Sequence, residues 1–226
     1  MSEGNIRVIE VNRSVFDDND QEANGLRRIL KKDKTFLVNV MSSPGAGKTT
    51  TLIRLINSLK SEYKIAVMEA DIDSDVDAVK VAKETGVTSL QVHTSGMCHL
   101  DAGMTKKALD EVKYQDFDII FLENVGNLVC PAEFDTGANL DMVILSVPEG
   151  DDKPLKYPLV FQKAGLVVIN KMDALPYFTF SLDACKENIR MRNGKTSIVP
   201  ISAKTGEGME ILKFELIRII QEWRNE

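Results

Sequence analysis

The pattern of the chain predicts an α/β fold: a doubly wound, mostly parallel seven-stranded sheet with helices on both faces. Three observations carry this. Short apolar runs alternate with amphipathic segments along nearly all of the 226 residues. Several runs are apolar at successive positions, as parallel strands covered on both faces must be. Strand, helix and strand repeated in this way need the crossover connections of parallel neighbours.

Taken in order, residues 1–34 read as an N-terminal segment that includes an accessory helix over 14–34. That helix is expected to carry Leu26, Ile29 and Leu30 on one side and a solvated basic face of Arg27, Arg28, Lys31 and Lys32 on the other. Residues 35–226 form the main domain. Its strands are expected over 36–41, 65–69, 89–92, 117–122, 141–147, 166–169 and 197–201, and its clearest helices over 49–59 and 209–223, where leucines and isoleucines recur at helical spacing. The segment 173–180, with Pro176, Tyr177, Phe178 and Phe180, reads as a loop folded over the core.

Composition narrows the function. Apolar residues make up 43% and charged residues 27%, which excludes a disordered chain. A net charge of −6 argues against nucleic acid as the main partner, since phosphate neutralisation needs a basic face. Three cysteines do not make a stapled secreted scaffold, and neither a signal peptide nor a membrane-spanning run is present, so a cytoplasmic protein is expected.

In a doubly wound sheet ligands sit beyond the carboxyl ends of the strands, so the loops there carry the chemistry. The first strand runs into Ser42-Ser43-Pro44-Gly45-Ala46-Gly47-Lys48-Thr49-Thr50 and then a helix, a P-loop with Ser42 at the usual first glycine. Gly45 and Gly47 let backbone N–H groups turn inward at a helix N-terminus. Lys48 would neutralise β/γ-phosphate charge and the Thr49 hydroxyl would ligate Mg²⁺. Glu123 ends a very apolar strand in the position of a Mg²⁺-holding carboxylate, and Gly126 follows where a γ-phosphate-sensing N–H belongs. Of Asp71, Asp73, Asp75 and Asp77, Asp71 lies nearest its strand and is the one expected to approach Mg²⁺ or the attacking water; at least two of the others read as solvated. Lys48, Asp71 and Glu123 are the catalytic candidates.

The base is read twice. Asn170-Lys171-Met172-Asp173 follows the sixth expected strand, and Ser202-Ala203-Lys204 follows the seventh. An Asp at position 173 accepts from guanine N1–H and the exocyclic amine; adenine offers no N1–H, and an unpaired buried acceptor costs about 1–3 kcal/mol. The Lys171 stem covers the purine and Asn170 braces the loop. GTP, returning as GDP, is the nucleotide expected.

Cys98-His99 and Cys130-Pro131 are not needed for nucleotide chemistry. Cys130 lies four residues beyond Gly126, and Cys98-His99 follows another strand, so Cys98, His99 and Cys130 should meet at one rim of the sheet. Thiolate plus imidazole suits Ni²⁺ or Zn²⁺. Three ligands do not close a zinc tetrahedron, which suggests an exchangeable or dimer-bridged site. Cys185 reads as structural, and His93 as a packing or supporting residue.

On these motifs the chain resembles the HypB family of hydrogenase nickel-incorporation GTPases, SIMIBI-class proteins related to urease accessory GTPases and to GTPases serving cobalamin-dependent mutases. The resemblance rests on SSPGAGKTT, CHLDA at 98–102, ENVGNLVCPAEFD at 123–135, EGDDKPLKYP at 149–158, NKMD and SAKTGEG at 202–208. It implies slow GTP hydrolysis, a homodimer favoured by GTP, and nickel handling during [NiFe]-hydrogenase maturation. It also implies metal-ligand roles for Cys98, His99 and Cys130, and as partners the nickel-binding accessory protein HypA and the hydrogenase large subunit. Lys153 and Lys156 are expected either at nucleotide, at a facing subunit or in solvent. Some relatives begin with a Cys- or His-rich nickel tract; the opening residues here hold neither, and the only histidines are His93 and His99. Metal chemistry is therefore expected at the G-domain site alone.

Overall fold

Seven strands form one parallel sheet in the order β3-β2-β4-β1-β5-β6-β7. They are β1 (Phe36–Ser42), β2 (Ile65–Asp71), β3 (Thr88–His93), β4 (Ile119–Glu123), β5 (Leu140–Ser146), β6 (Leu166–Asn170) and β7 (Ser197–Pro200). The helices are α1 (Val11–Asp33), α2 (Lys48–Leu59), α3 (Val76–Thr85), α4 (Ala102–Val112), α5 (Cys130–Glu133), α6 (Lys153–Lys156), α7 (Pro158–Lys163), α8 (Leu182–Arg192) and α9 (Met209–Asn225). The computed structural model describes residues 11–71, 76–94 and 96–226. Residues 1–10 of the expected N-terminal segment lie outside the described residues, as do Asp73, Asp75 and Ser95. Among the described residues no helix is long and apolar enough to cross a membrane.

Each expected strand is present, with ends that differ by one or two residues. β4 starts at Ile119 rather than 117, because Phe117 closes a 3₁₀ turn (Tyr114–Asp116) by donating its N–H to Tyr114 O. Val147 likewise opens a 3₁₀ turn (Val147–Glu149) in which Glu149 accepts from Ser146 N and Oγ, each at 2.8 Å.

Strand alternation sends each face to its own helices. Phe36, Val38 and Val40 pack with Leu52, Leu55 and Ile56 of α2 and with Leu212, Leu216 and Ile220 of α9. Leu37 and Met68 face Leu26 and Leu30 of α1 and Leu109 of α4. Met41, Val143 and Val167 face Val160 and Phe161 of α7 and Cys185 and Ile189 of α8. Each such fully buried side chain contributes roughly 1.5–3 kcal/mol.

Two expectations about surface elements are corrected. In α1, Leu26 and Leu30 are buried but Ile29 is exposed, and Arg27 is no solvated residue: it grips both Asp135 oxygens at 2.6 and 2.8 Å and donates to Ala138 O at 2.9 Å. The segment after β6 is a 3₁₀ helix (Met172–Tyr177) that leaves Tyr177 and Phe178 exposed, while Phe180 packs on the core.

Candidate nucleotide and thiol site

The phosphate loop connects β1 to α2. Gly45 and Gly47 have φ +75° and +97°, and a Cβ at Gly47 would stand 2.5 Å from Asn170 Nδ2, so glycine is required there by conformation and by space. Ser42 has no positive φ, which is why its replacement of glycine is tolerated. Its buried hydroxyl accepts from Lys48 Nζ at 3.1 Å and donates to Ser43 O at 2.7 Å, holding the lysine at the mouth of the loop. Pro44, Gly45, Gly47, Lys48, Thr49 and Thr50 line a cavity of about 630 Å³ beyond the strand ends. Ala46 is buried beneath it.

Four carboxylates reach the same cavity: Glu69, Asp71, Asp77 and Glu123. Thr49 Oγ1 donates to Glu123 Oε1 at 3.1 Å, while Glu123 Oε2 is buried without a partner. Burial raises the Glu123 carboxyl above its ordinary range, against the pull of Lys48. Asp71 is the last residue of β2, half-buried at the rim. Asp77 comes from the first turn of α3. Gly126 packs on the P-loop: a Cβ there would meet the Pro44 ring at 3.3 Å.

Glu69 is the residue that motif reading missed. Its register partner across β2 and β4 is Glu123, and on the other side it pairs with Gln91 of β3. Burial first, then the Glu123 charge, pushes its carboxyl up to about 10. Glu69 Oε1 and Gln91 Nε2 are buried without partners. The available signal was a lone acid inside the apolar strand IAVMEAD.

The base loops meet the P-loop through Asn170. Its Nδ2 donates to Ala46 O at 2.9 Å, and its Oδ1 accepts from Lys171 N at 2.7 Å and from Ala203 N at 3.0 Å. Lys171 sits at φ +61° and reaches Gly45 O at 2.7 Å. Asp173 accepts from Ser202 Oγ at 2.6 Å and faces the exposed Lys204 at 3.9 Å. Both motifs are thus drawn to one end of the P-loop.

The second group lies beside this cavity. Cys98 and His99 occupy the β3–α4 connection, and Cys130 opens α5. Both thiols are half-buried, and the Cys130 thiol beside Cys98 raises the Cys98 pKa. His99 Nδ1 lies 3.8 Å from Cys98 Sγ, and its ring stacks on Phe134 at 3.8 Å between centroids, 11° from parallel. Burial lowers the imidazole pKa, favouring the neutral, ligand-competent form. Among the described residues no group of three or more His, Cys, Asp or Glu side chains is arranged to hold a metal ion within one chain. Cys185 is fully buried in α8, its thiol pushed up to about 12 by burial. His93 is exposed at the end of β3, not packed as expected. Lys153 lies 3.3 Å from Glu149 and over the Tyr157 ring; Lys156 pairs with Asp152 at 2.7 Å in solvent.

Residues 36–200 match the nucleotide-binding domain family CobW/HypB/UreG. The hydrogenase maturation factor HypB of Rhizobium leguminosarum bv. viciae is 43% identical over 204 residues, covering 90% of this chain and 68% of that protein. The hydrogenase/urease maturation factor HypB of Helicobacter hepaticus is 40% identical over 209 residues, 91% of this chain and 85% of that one. The crystal structure of HypB from Helicobacter pylori in complex with nickel superimposes with a TM-score of 0.85 at 38% identity, covering 91% of this chain and 96% of that chain. The chain spans about two thirds of the length of the first curated relatives it matches.

Proposed function

Because the chain belongs to the CobW/HypB/UreG family, in its branch of hydrogenase maturation factors, we propose that it is a GTP-hydrolysing metal carrier. It takes up Ni²⁺, or Zn²⁺ at the same position, through Cys98, His99 and Cys130 and delivers nickel during [NiFe]-hydrogenase maturation. Its partners are a second copy of the chain when GTP is bound, and in the cytoplasm the accessory protein HypA and the hydrogenase large subunit.

In the nucleotide half, Pro44 to Thr50 cradle the phosphates with backbone N–H groups, Lys48 leaves Ser42 for the β/γ-phosphates, and Gly126 senses the γ-phosphate. Asp173 selects guanine, with Asn170, Lys171, Ser202, Ala203 and Lys204 shaping the base pocket. Thr49, Glu123 and Asp71 are the oxygen donors for Mg²⁺. The fit is supported by Glu123, a carboxyl desolvated in the cavity that meets a second acid, Glu69, and whose Oε2 has no fixed donor. Bound there, Mg²⁺ supplies charge neutralisation at the β/γ-phosphates. Asp71 orients the attacking water.

One observation carries the metal half: the Cys98 thiol lies 3.8 Å from the His99 imidazole and beside the Cys130 thiol, which is four residues from Gly126. Between them Leu128 is buried in the core, so the segment has little slack to absorb a shift of the γ-phosphate loop. Since no three such side chains among the described residues are arranged to hold a metal within one chain, coordination is left open, which suits cargo that must be released or a site completed by the second subunit. The experiment is titration of Ni²⁺ into the GDP form and the non-hydrolysable-GTP form, with particle mass followed in parallel. A thiolate-to-nickel band that is lost in Cys98→Ala and Cys130→Ala, with affinity differing between nucleotide states, is the expected result. Equal affinity in both states would refute the carrier. The second reading, delivery to a urease-type centre, is favoured by the name of the Helicobacter hepaticus relative; transfer assays with each apo-enzyme separate the two.

A further inference from the structure

The two segments that carry the thiols are far apart in sequence, and the helix α1 touches both. Asn19, 7% exposed, stands between them. Its Nδ2 donates to Asp135 O at 3.0 Å, just past α5, and its Oδ1 accepts from Ala102 N at 2.9 Å, at the start of α4 and three residues after His99. The Ala102 N–H is one of the first-turn donors a helix cannot satisfy internally, so this bond has no substitute within α4. One turn earlier on α1, Phe16 packs on Phe134 with centroids 5.1 Å apart, and Phe134 stacks on His99. Arg27 adds its two bonds to Asp135 further along the same helix.

We propose that Asn19 and the Phe16–Phe134–His99 stack are positioning residues of the thiol–imidazole site, through which α1 sets the separation of the Cys98 and Cys130 loops and the direction of the His99 ring. The inference rests on the metal reading above for its cargo but not for its geometry. The His99 ring lies nearly parallel to Phe134 at 3.8 Å, so this packed aromatic neighbour sets its plane. Groups that orient ligands in this way change metal affinity by about 10–100-fold when removed.

The test uses the full chain and three variants. Asn19→Ala removes both bridging bonds, Phe134→Leu removes the stack without touching Asn19, and Phe134→Tyr keeps a ring in place. Bridging of Cys98 to Cys130 by dibromobimane, with no metal present, should slow several-fold in Asn19→Ala and Phe134→Leu and stay near the parent rate in Phe134→Tyr. Titration with nickel chloride should show the same order, with affinity lowered about 10–100-fold in the first two. Guanine-nucleotide affinity should not change. Should Asn19→Ala fail to fold, Phe134→Leu decides. Folded variants that crosslink and bind nickel like the parent overturn the proposal, as does a Phe134→Tyr protein as impaired as Phe134→Leu. A parent chain that crosslinks but takes up no nickel refutes the metal reading, while the crosslinking series still decides the role of α1.

Discussion

In the proposed base pocket Asp173 is the residue on which nucleotide choice would turn, and its carboxylate is already held by Ser202 at 2.6 Å. Asp173→Asn keeps that bond but replaces one acceptor facing the base with a donor. GTP affinity should drop about 10–100-fold, the cost of one or two unpaired groups, and XTP, whose 2-oxo group accepts, should gain; competition binding of the two nucleotides checks it. Glu69 makes a different case. Its folded pKa, about 10, lies far above the unfolded value of about 4.5, so folding takes up a proton at pH values between the two. Stability therefore falls as pH rises from about 5 through neutrality, by up to about 1.4 kcal/mol per unit. Glu69→Gln should be the more stable protein without ligand, its advantage over the parent growing between pH 6 and 8 in urea unfolding. A constant difference across that range would show that Glu69 does not bind a proton on folding. Asp173 could be singled out from the sequence because its motif is defined by base chemistry. Glu69 could not, because a lone acid in a strand is silent until the register sets it opposite Glu123.

Strands were read well because two-sided burial writes itself into composition; their ends were read less well because they depend on turns. The 3₁₀ turn over Tyr114–Asp116 shortens β4, and no apolar pattern announces it. The same holds for α1, whose Arg27 looked like a surface charge and proves to be a tie to the segment after α5. Polar links between central strands are hidden in the same way. Asn39 of β1, 1% exposed, accepts from Asn124 Nδ2 at 3.0 Å and donates to Asp141 Oδ1 at 2.8 Å, joining β4's loop to β5 through the middle of the sheet. Asn39→Ala leaves two desolvated groups behind and should cost about 2–4 kcal/mol in denaturant unfolding. It should also loosen the loop that Asn124 begins, seen as faster amide exchange at Val125 and Gly126. Unchanged exchange with lowered stability would confine Asn39 to a structural role.

Parallel strands place every loop of consequence at one edge of the sheet, so the proposed guanine and triphosphate loops and the thiols share a rim without any dedicated connector. The connection between the last two is the short run from Glu123 to Cys130, anchored by Val125 in one core and Leu128 in another. If nucleotide state alters nickel affinity, nickel must alter GTP affinity by the same factor, since the two binding events close one thermodynamic cycle. A useful carrier needs a coupling of about 1–3 kcal/mol, or roughly 5–150-fold. GTP-analogue affinity should therefore rise by that factor when nickel saturates the parent chain. In Cys130→Ala the metal-free affinity should match the parent, because Cys130 touches no part of the nucleotide cavity, and the nickel-dependent increment should vanish. Isothermal titration of the analogue with and without nickel, in both proteins, supplies all four corners. An increment that survives in Cys130→Ala would mean that coupling runs through another route, and that the segment after Gly126 is a linker without a switching role.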